Sequence, residues 1–199
     1  DEFEQKLITA SETEITYSQL VICTGVTTDY SFVDDLKKYA YGFSDLNDLL
    51  RIQKFITKFN NSSEYVKPLV ICGAGPTGVE LACKVSDLVD NRVEIYLVEI
   101  GSKILSKSKS FNRDTAIEAI SKRNIKIYLR HYIRSVNECA LELESTDNQI
   151  NNCLKINYSD LVVTAGFKLR TSNLVNHFLG KRKKIKVNKF LQINEFKNI

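Results

Sequence analysis

Leu69-Val70-Ile71-Cys72-Gly73-Ala74-Gly75-Pro76-Thr77-Gly78-Val79-Glu80-Leu81-Ala82 decides how this chain is read. The apolar run from Lys67 to Cys72 predicts a short strand covered on both faces, and Val79 to Val89 carries the spacing of a helix. Three glycines in six residues are weak evidence by themselves. Their context supplies the rest: a strand before, a helix after, and a carboxylate, Glu99, ending the next strand, Val93 to Val98, 21 residues beyond Gly78. In such a loop each residue has a task. Gly73 permits the tight turn, Gly75 lets the backbone approach a pyrophosphate, and Gly78 lets the helix pack closely on the strand. Ala74 and Thr77 fill the positions between, and Pro76 suits a first helical turn, where no N–H is needed. Phosphates are expected at the unsatisfied N–H groups and positive dipole end of that helix. Glu99 is expected to accept hydrogen bonds from the adenosine ribose hydroxyls and to repel a 2′-phosphate, which predicts NAD over NADP.

Outward from the loop the pattern continues in the same style. Ile15 to Cys23 reads as a strand stopped by Thr24-Gly25, and residues 26–43 read as a loop. Ser44 is placed to cap a helix in which Leu46, Leu49, Leu50, Ile52, Phe55, Ile56 and Phe59 recur at steps of three and four. Thr115 to Arg123 supports a further helix. Ile125–Leu129, an interrupted run from Ile133 to Leu143, and Cys153–Ile156 look like strands, and Leu161-Val162-Val163-Thr164 forms a last strong one closed by Ala165-Gly166. Strand, helix, strand, helix and a meander predict an α/β fold with a parallel sheet.

Composition excludes several alternatives. The chain has 199 residues, 43% of them hydrophobic, so it is not disordered, and its net charge of +4 nominates no nucleic-acid partner. Five cysteines without a Cys-x-x-Cys pair argue against a disulfide framework or a zinc site, and no metal site is expected. Cys23 and Cys72 lie in apolar runs and are expected to be small buried hydrophobes in a reducing compartment. No apolar run approaches the ~20 residues that span a bilayer. A usage rich in Lys, Ile and Asn fits an A+T-rich coding sequence, as in a low-GC bacterium or an organelle such as a plastid. The absence of any methionine leads to the expectation that the chain is a processed product or a fragment.

Ala74 to Ala82, followed by Leu97-Val98-Glu99-Ile100-Gly101-Ser102-Lys103-Ile104-Leu105, closely resembles the nicotinamide-binding segment of type II NADH dehydrogenases. These single-subunit flavoproteins pass electrons from NADH through FAD to a quinone. Their relatives include disulfide reductases, whose loop usually lacks the Pro-Thr pair found here at Pro76-Thr77. Tyr17 to Thr27, with Thr24-Gly25, and Tyr158 to Gly166, with Ala165-Gly166, resemble the two crossovers of the flavin domain between which the family inserts its nicotinamide domain. The resemblance implies a Rossmann-like NAD(H)-binding domain over residues 65–157. That domain would be inserted in a partial FAD-binding domain made of residues 1–64 and 158–199. FAD and NADH are the implied cofactors, a quinone the acceptor, and a membrane surface and a homodimer the implied settings. Glu80 would face nicotinamide and flavin, with a role in proton supply weighed evenly against a carboxylate that merely suits the helix dipole. By the same resemblance the chain is a central fragment, not expected to hold FAD well or turn over alone.

Two rival readings stay open: a flavin-dependent disulfide or ferredoxin reductase of the same superfamily, and a non-catalytic NAD-binding module. Lys181-Arg182-Lys183-Lys184 reads as a solvated turn rather than a nucleic-acid patch, and His131 and His177 as structural or surface residues.

Overall fold

The computed structural model describes residues 4–61, 66–89, 92–147, 153–170 and 184–199. They fall into two units, Asp1–Val26 with Leu169–Ile199, and Thr27–Lys168. The first unit opens with β1 (Lys6–Ile8) and β2 (Glu14–Thr16), an antiparallel hairpin that pairs Lys6 with Thr16. Isolated bridges join Val187 to Ile193 and Ile193 to Phe196. The expected strand from Ile15 to Cys23 stops at Thr16. Val21 is 81% exposed and Cys23 is exposed, against the expectation of burial. The physical reason is the lack of a ladder: an apolar run becomes a strand only when a neighbour takes up its backbone N–H and C=O groups. Among the described residues no strand pairs with residues 20–23.

The chain continues through β3 (Val26–Thr28), α1 (Leu36–Tyr39), α2 (Leu46–Asn60), β4 (Leu69–Cys72), α3 (Pro76–Leu88), β5 (Ile95–Glu99), α4 (Ser110–Ser121) and β6 (Ile125–Leu129). A meander of β7 (His131–Val136), β8 (Ala140–Ser145) and β9 (Cys153–Asn157) follows, then β10 (Asp160–Val163) and β11 (Phe167–Leu169), which pairs with β3. Four strands make a parallel sheet in the order β10-β4-β5-β6. Side chains alternate across it. Leu69, Ile71, Ile95, Leu97 and Val162 join α2, α3 and α4 in one core; Val70, Cys72, Val98, Leu161 and Val163 meet Ile133, Leu141, Leu143 and Ile156 of the meander in the other. A strand buried on both faces reads as a continuous apolar run. That is why β4, β5 and β10 stood out in the sequence.

Two expectations shift. The cap of α2 is Asp45, not Ser44: the Asp45 carboxylate accepts the Asp48 N–H at 3.1 Å, while Ser44 donates its own N–H to Asp48 at 2.8 Å. The segment expected to be loop between 26 and 43 contains β3 and α1. The contacts also join elements on either side of positions 64/65 and 157/158. β10 pairs along its length with β4, and Ile52, Phe55 and Phe59 of α2 pack into the helix-side core, so all of these belong to the unit of the glycine loop. Pairing between parallel strands is not local in sequence.

Candidate functional site

β4 ends at Cys72, and the chain must turn at once to start α3. Gly73 makes that turn with φ 110°, a conformation few residues but glycine adopt, and donates its N–H to Val98 O at 2.8 Å. A Cβ on Gly73 would stand 2.7 Å from the Ala165 N atom. A Cβ on Gly78 would collide with the Gly73 carbonyl oxygen and approach Thr164 Oγ1. Gly75 is different: a Cβ there would meet nothing within 4 Å. The three glycines therefore divide into two that the protein itself crowds and one that faces open space. Gly75 is the N-cap of α3, with Pro76 at its first position. Among the described residues the N–H groups of Gly75, Thr77 and Gly78 have no partner, as expected of a helix start. An open glycine beside unpaired N–H groups at the positive end of a 13-residue helix fits a pyrophosphate.

Glu99, at the C-terminal end of β5, reaches back to this loop. Its two carboxylate oxygens accept separate backbone N–H groups, Oε2 from Ala74 at 2.9 Å and Oε1 from Gly101 at 2.8 Å. The expectation assigned Glu99 only to ribose hydroxyls; the structure adds that the same carboxylate ties the glycine loop to the turn after β5. Each oxygen keeps one further lone-pair direction for another donor. Glu80 is exposed on α3 one turn beyond Pro76; the first turn itself holds no acidic residue.

Ala165 and Gly166 lie beside the same loop. Thr164 and Ala165 both donate their N–H groups to Cys72 O at 2.9 Å, so the end of β10 closes over the end of β4. Thr164 Oγ1 donates to the carbonyls of Cys72 and Gly73 at 3.1 and 2.9 Å. Gly166 has φ 70° and lies against Asp29. Asp29 pairs with Lys168 at 2.9 Å and accepts from Ser31 Oγ at 2.7 Å. Those donors hold its carboxyl down at about 2. A cavity of about 230 Å³ opens at this end of the sheet, between Gly73, Glu99, Ile100, His131, Ala165 and Gly166. In open α/β sheets ligands bind at the carboxyl ends of the strands where the strand order reverses, and here β4 has β5 on one side and β10 on the other. Burial pushes the Cys72 thiol up to about 12, which makes it an inert wall of that cavity.

Thr24 and Gly25 belong to the other unit. Both are exposed, Gly25 has φ 69°, and they line a cavity of about 330 Å³ with Ile22, Leu169 and Ile185. His131 places Nδ1 2.6 Å from Leu129 O and stacks edge-on against Tyr128, which suits the structural role expected of it. His177 and residues 181–183 of the basic run lie outside the described residues; Lys184 lines the Thr24 cavity. Sequence reasoning missed Thr164 and Arg113. Arg113, on α4, donates to three carbonyls of the 104–108 loop, and an arginine five to nine residues from the groups it serves leaves no periodic trace.

A family model described as pyridine nucleotide-disulphide oxidoreductase matches residues 1–199, and the chain belongs to that family. It is 32% identical over 111 residues to the demethylphylloquinone reductase NdbB of Synechocystis, a match covering 56% of this chain and 28% of that protein. The structure resembles NDH2 from Plasmodium falciparum, solved in complex with NADH, with a TM-score of 0.68 and 22% identity over 83% of this chain and 38% of that one. It also resembles a ferredoxin reductase from Rhodopseudomonas palustris, with a TM-score of 0.76 and 18% identity over 96% of this chain and 45% of that one. At these identities the structural likenesses establish the α/β fold. The chain spans 24% to 36% of the length of the curated relatives it matches.

Proposed function

We propose that this chain supplies the NADH-binding part of an FAD-dependent NADH dehydrogenase that passes electrons to a quinone. The observation that carries the reading is the open glycine, Gly75, set between two crowded ones at the start of α3 and beside the braced carboxylate of Glu99. Gly73 and Gly78 hold the shape of the loop, and Gly75, Thr77 and Gly78 offer N–H groups to a pyrophosphate. Ala74 and Pro76 set the direction of the chain between them. Glu99 keeps a negative charge where a 2′-phosphate would fall, which selects NADH. Ala165 and Gly166 close the nicotinamide side of the loop, and Thr24 and Gly25 are offered to FAD. Bound nicotinamide and flavin supply the hydride chemistry, and the protein supplies binding, orientation and electrostatics. Glu80, exposed beside the loop, is proposed to hold and hand on a proton.

The sequence match to a demethylphylloquinone reductase supports a quinone as acceptor, and the likeness to a ferredoxin reductase, which is one of fold, does not displace it. A position at a membrane surface and a homodimer belong to the same proposal. Among the described residues no helix is long and apolar enough to cross a membrane. The chain has no tryptophan, so the fluorescence of the reduced nucleotide reports binding directly. Titration with NADH and with NADPH tests the reading: NADH is expected to bind at least tenfold tighter, and tighter binding of NADPH would overturn the role given to Glu99.

A further inference from the structure

We propose that Arg113 is a positioning residue for the dinucleotide, acting through Leu105 on the peptide that carries the Gly75 N–H. The inference rests on the NADH-binding reading above and concerns how that loop is held. Ala74 is held through both of its flanking peptide groups. Its N–H is taken by Glu99, and its carbonyl accepts the Leu105 N–H at 2.8 Å. A trans peptide is planar, so the Ala74 C=O and the Gly75 N–H point in opposite directions. Anchoring that carbonyl on Leu105 therefore sets the direction in which Gly75 presents its N–H to a phosphate.

Leu105 makes that bond while holding φ 47°, a conformation disfavoured for leucine. Burial of its side chain, 8% exposed, next to Ile104, 2% exposed, holds it from one side. Arg113 holds it from the other. The guanidinium donates from Nε to Ile104 O at 3.1 Å, and from Nη2 to Ser108 O at 3.0 Å and Leu105 O at 3.4 Å. Ser108 N–H also donates to Leu105 O at 2.9 Å. Three carbonyls that converge where the chain turns back call for a fork of fixed donors, which arginine has and lysine lacks. The order of action is guanidinium, loop 104–108, Leu105 N–H, Ala74 carbonyl, Gly75 N–H.

The test compares Arg113→Met, which keeps the apolar stem, and Arg113→Lys, which keeps the charge and can reach fewer carbonyls. Three readouts are taken on each chain: NADH titration, amide hydrogen exchange at Leu105, and the thermal midpoint. R113M is expected to lose tenfold or more in NADH affinity and the protection of the Leu105 amide, with a midpoint within a few degrees of wild type. R113K is expected to recover part of both losses. Unchanged NADH affinity in R113M would overturn the positioning role while leaving the NADH reading in place. So would a loss of affinity accompanied by a collapsed midpoint and no recovery in R113K, since that is the signature of a merely structural residue. A wild-type chain that fails to bind NADH would overturn the reading and the proposal with it, whereas protection at Leu105 would still report on the contact itself.

Discussion

Two glycine turns in this chain follow apolar runs and look alike in sequence, yet they differ in almost every physical respect. Gly73 to Gly78 is packed from three sides: by the end of β10 through Ala165, by Glu99 on the Ala74 N–H, and by Leu105 on the Ala74 carbonyl. Thr24-Gly25 is exposed, and a Cβ on Gly25 would meet nothing within 4 Å. The lesson is that a glycine motif acquires meaning from what surrounds it. At Gly78 the missing side chain is required by the protein's own backbone, at Gly75 it leaves space beside a helix start, and at Gly25 it permits a left-handed turn at the edge of a cavity.

The contrast is sharpest for alanine substitutions. Gly78→Ala drives a methyl into the Gly73 carbonyl and is expected to destabilise its unit by about 3 kcal/mol, lowering its thermal midpoint by about 10 °C. Gly25→Ala meets no neighbour and is expected to lose only about 1 kcal/mol, from backbone conformation. Equal midpoints for the two variants in calorimetry would erase the distinction. Next in size is Glu99→Gln. A glutamine keeps one acceptor oxygen but sets its NH2 group against an N–H, so one of the two braces is lost along with the charge. NADH affinity is expected to fall about tenfold, from the loss of a charge-assisted bond, and the preference over NADPH to shrink; an unchanged preference in parallel titrations would remove Glu99 from nucleotide selection.

The smallest expected effect is one of pH. The Asp29 carboxyl is held at about 2 by the hydrogen bond from Lys168 and those from Ser31, below its ordinary value near ~4. A depressed carboxylate contributes stability that is present above its unfolded value and lost as pH falls through the folded one. Wild type should therefore lose thermal stability between about pH 4 and 2 more steeply than Asp29→Asn, and the effect should be modest because Lys168 is exposed. Parallel curves across that window would show that the pair contributes nothing.

How much of this was legible in the sequence varies with how local the cause is. β4, β5 and β10 are readable because strands buried on both faces show continuous apolar runs, and β6 because its apolar residues alternate with polar ones. The glycine loop was readable because its tasks are set within a few residues. The run Leu20–Cys23 shows the opposite case: it is as apolar as β4, but nothing in its own composition tells that no described strand pairs with it. Glu99 is legible as an acidic partner and illegible as a brace, since one of the two N–H donors it joins sits 25 residues earlier. Arg113 was illegible altogether. Its function depends on the left-handed turn at Leu105, which no residue type in Ser102 to Ser108 announces. β10 joins the sheet of the glycine loop through pairing across 91 residues, from Val162 to Ile71, which no local pattern shows.

The open face of Gly75 is where a pyrophosphate would have to approach. Gly75→Val places a branched side chain in space that no atom of the protein occupies, so the fold should survive while the approach of a pyrophosphate is blocked. Titration of wild type and Gly75→Val with NADH, with circular dichroism and the thermal midpoint as checks on folding, is the most direct measurement. The predicted result is saturable binding by wild type and loss of at least a hundredfold in affinity for a variant that melts within a few degrees of it. A folded Gly75→Val chain that binds NADH as tightly as wild type would contradict the assignment of this loop as the dinucleotide site.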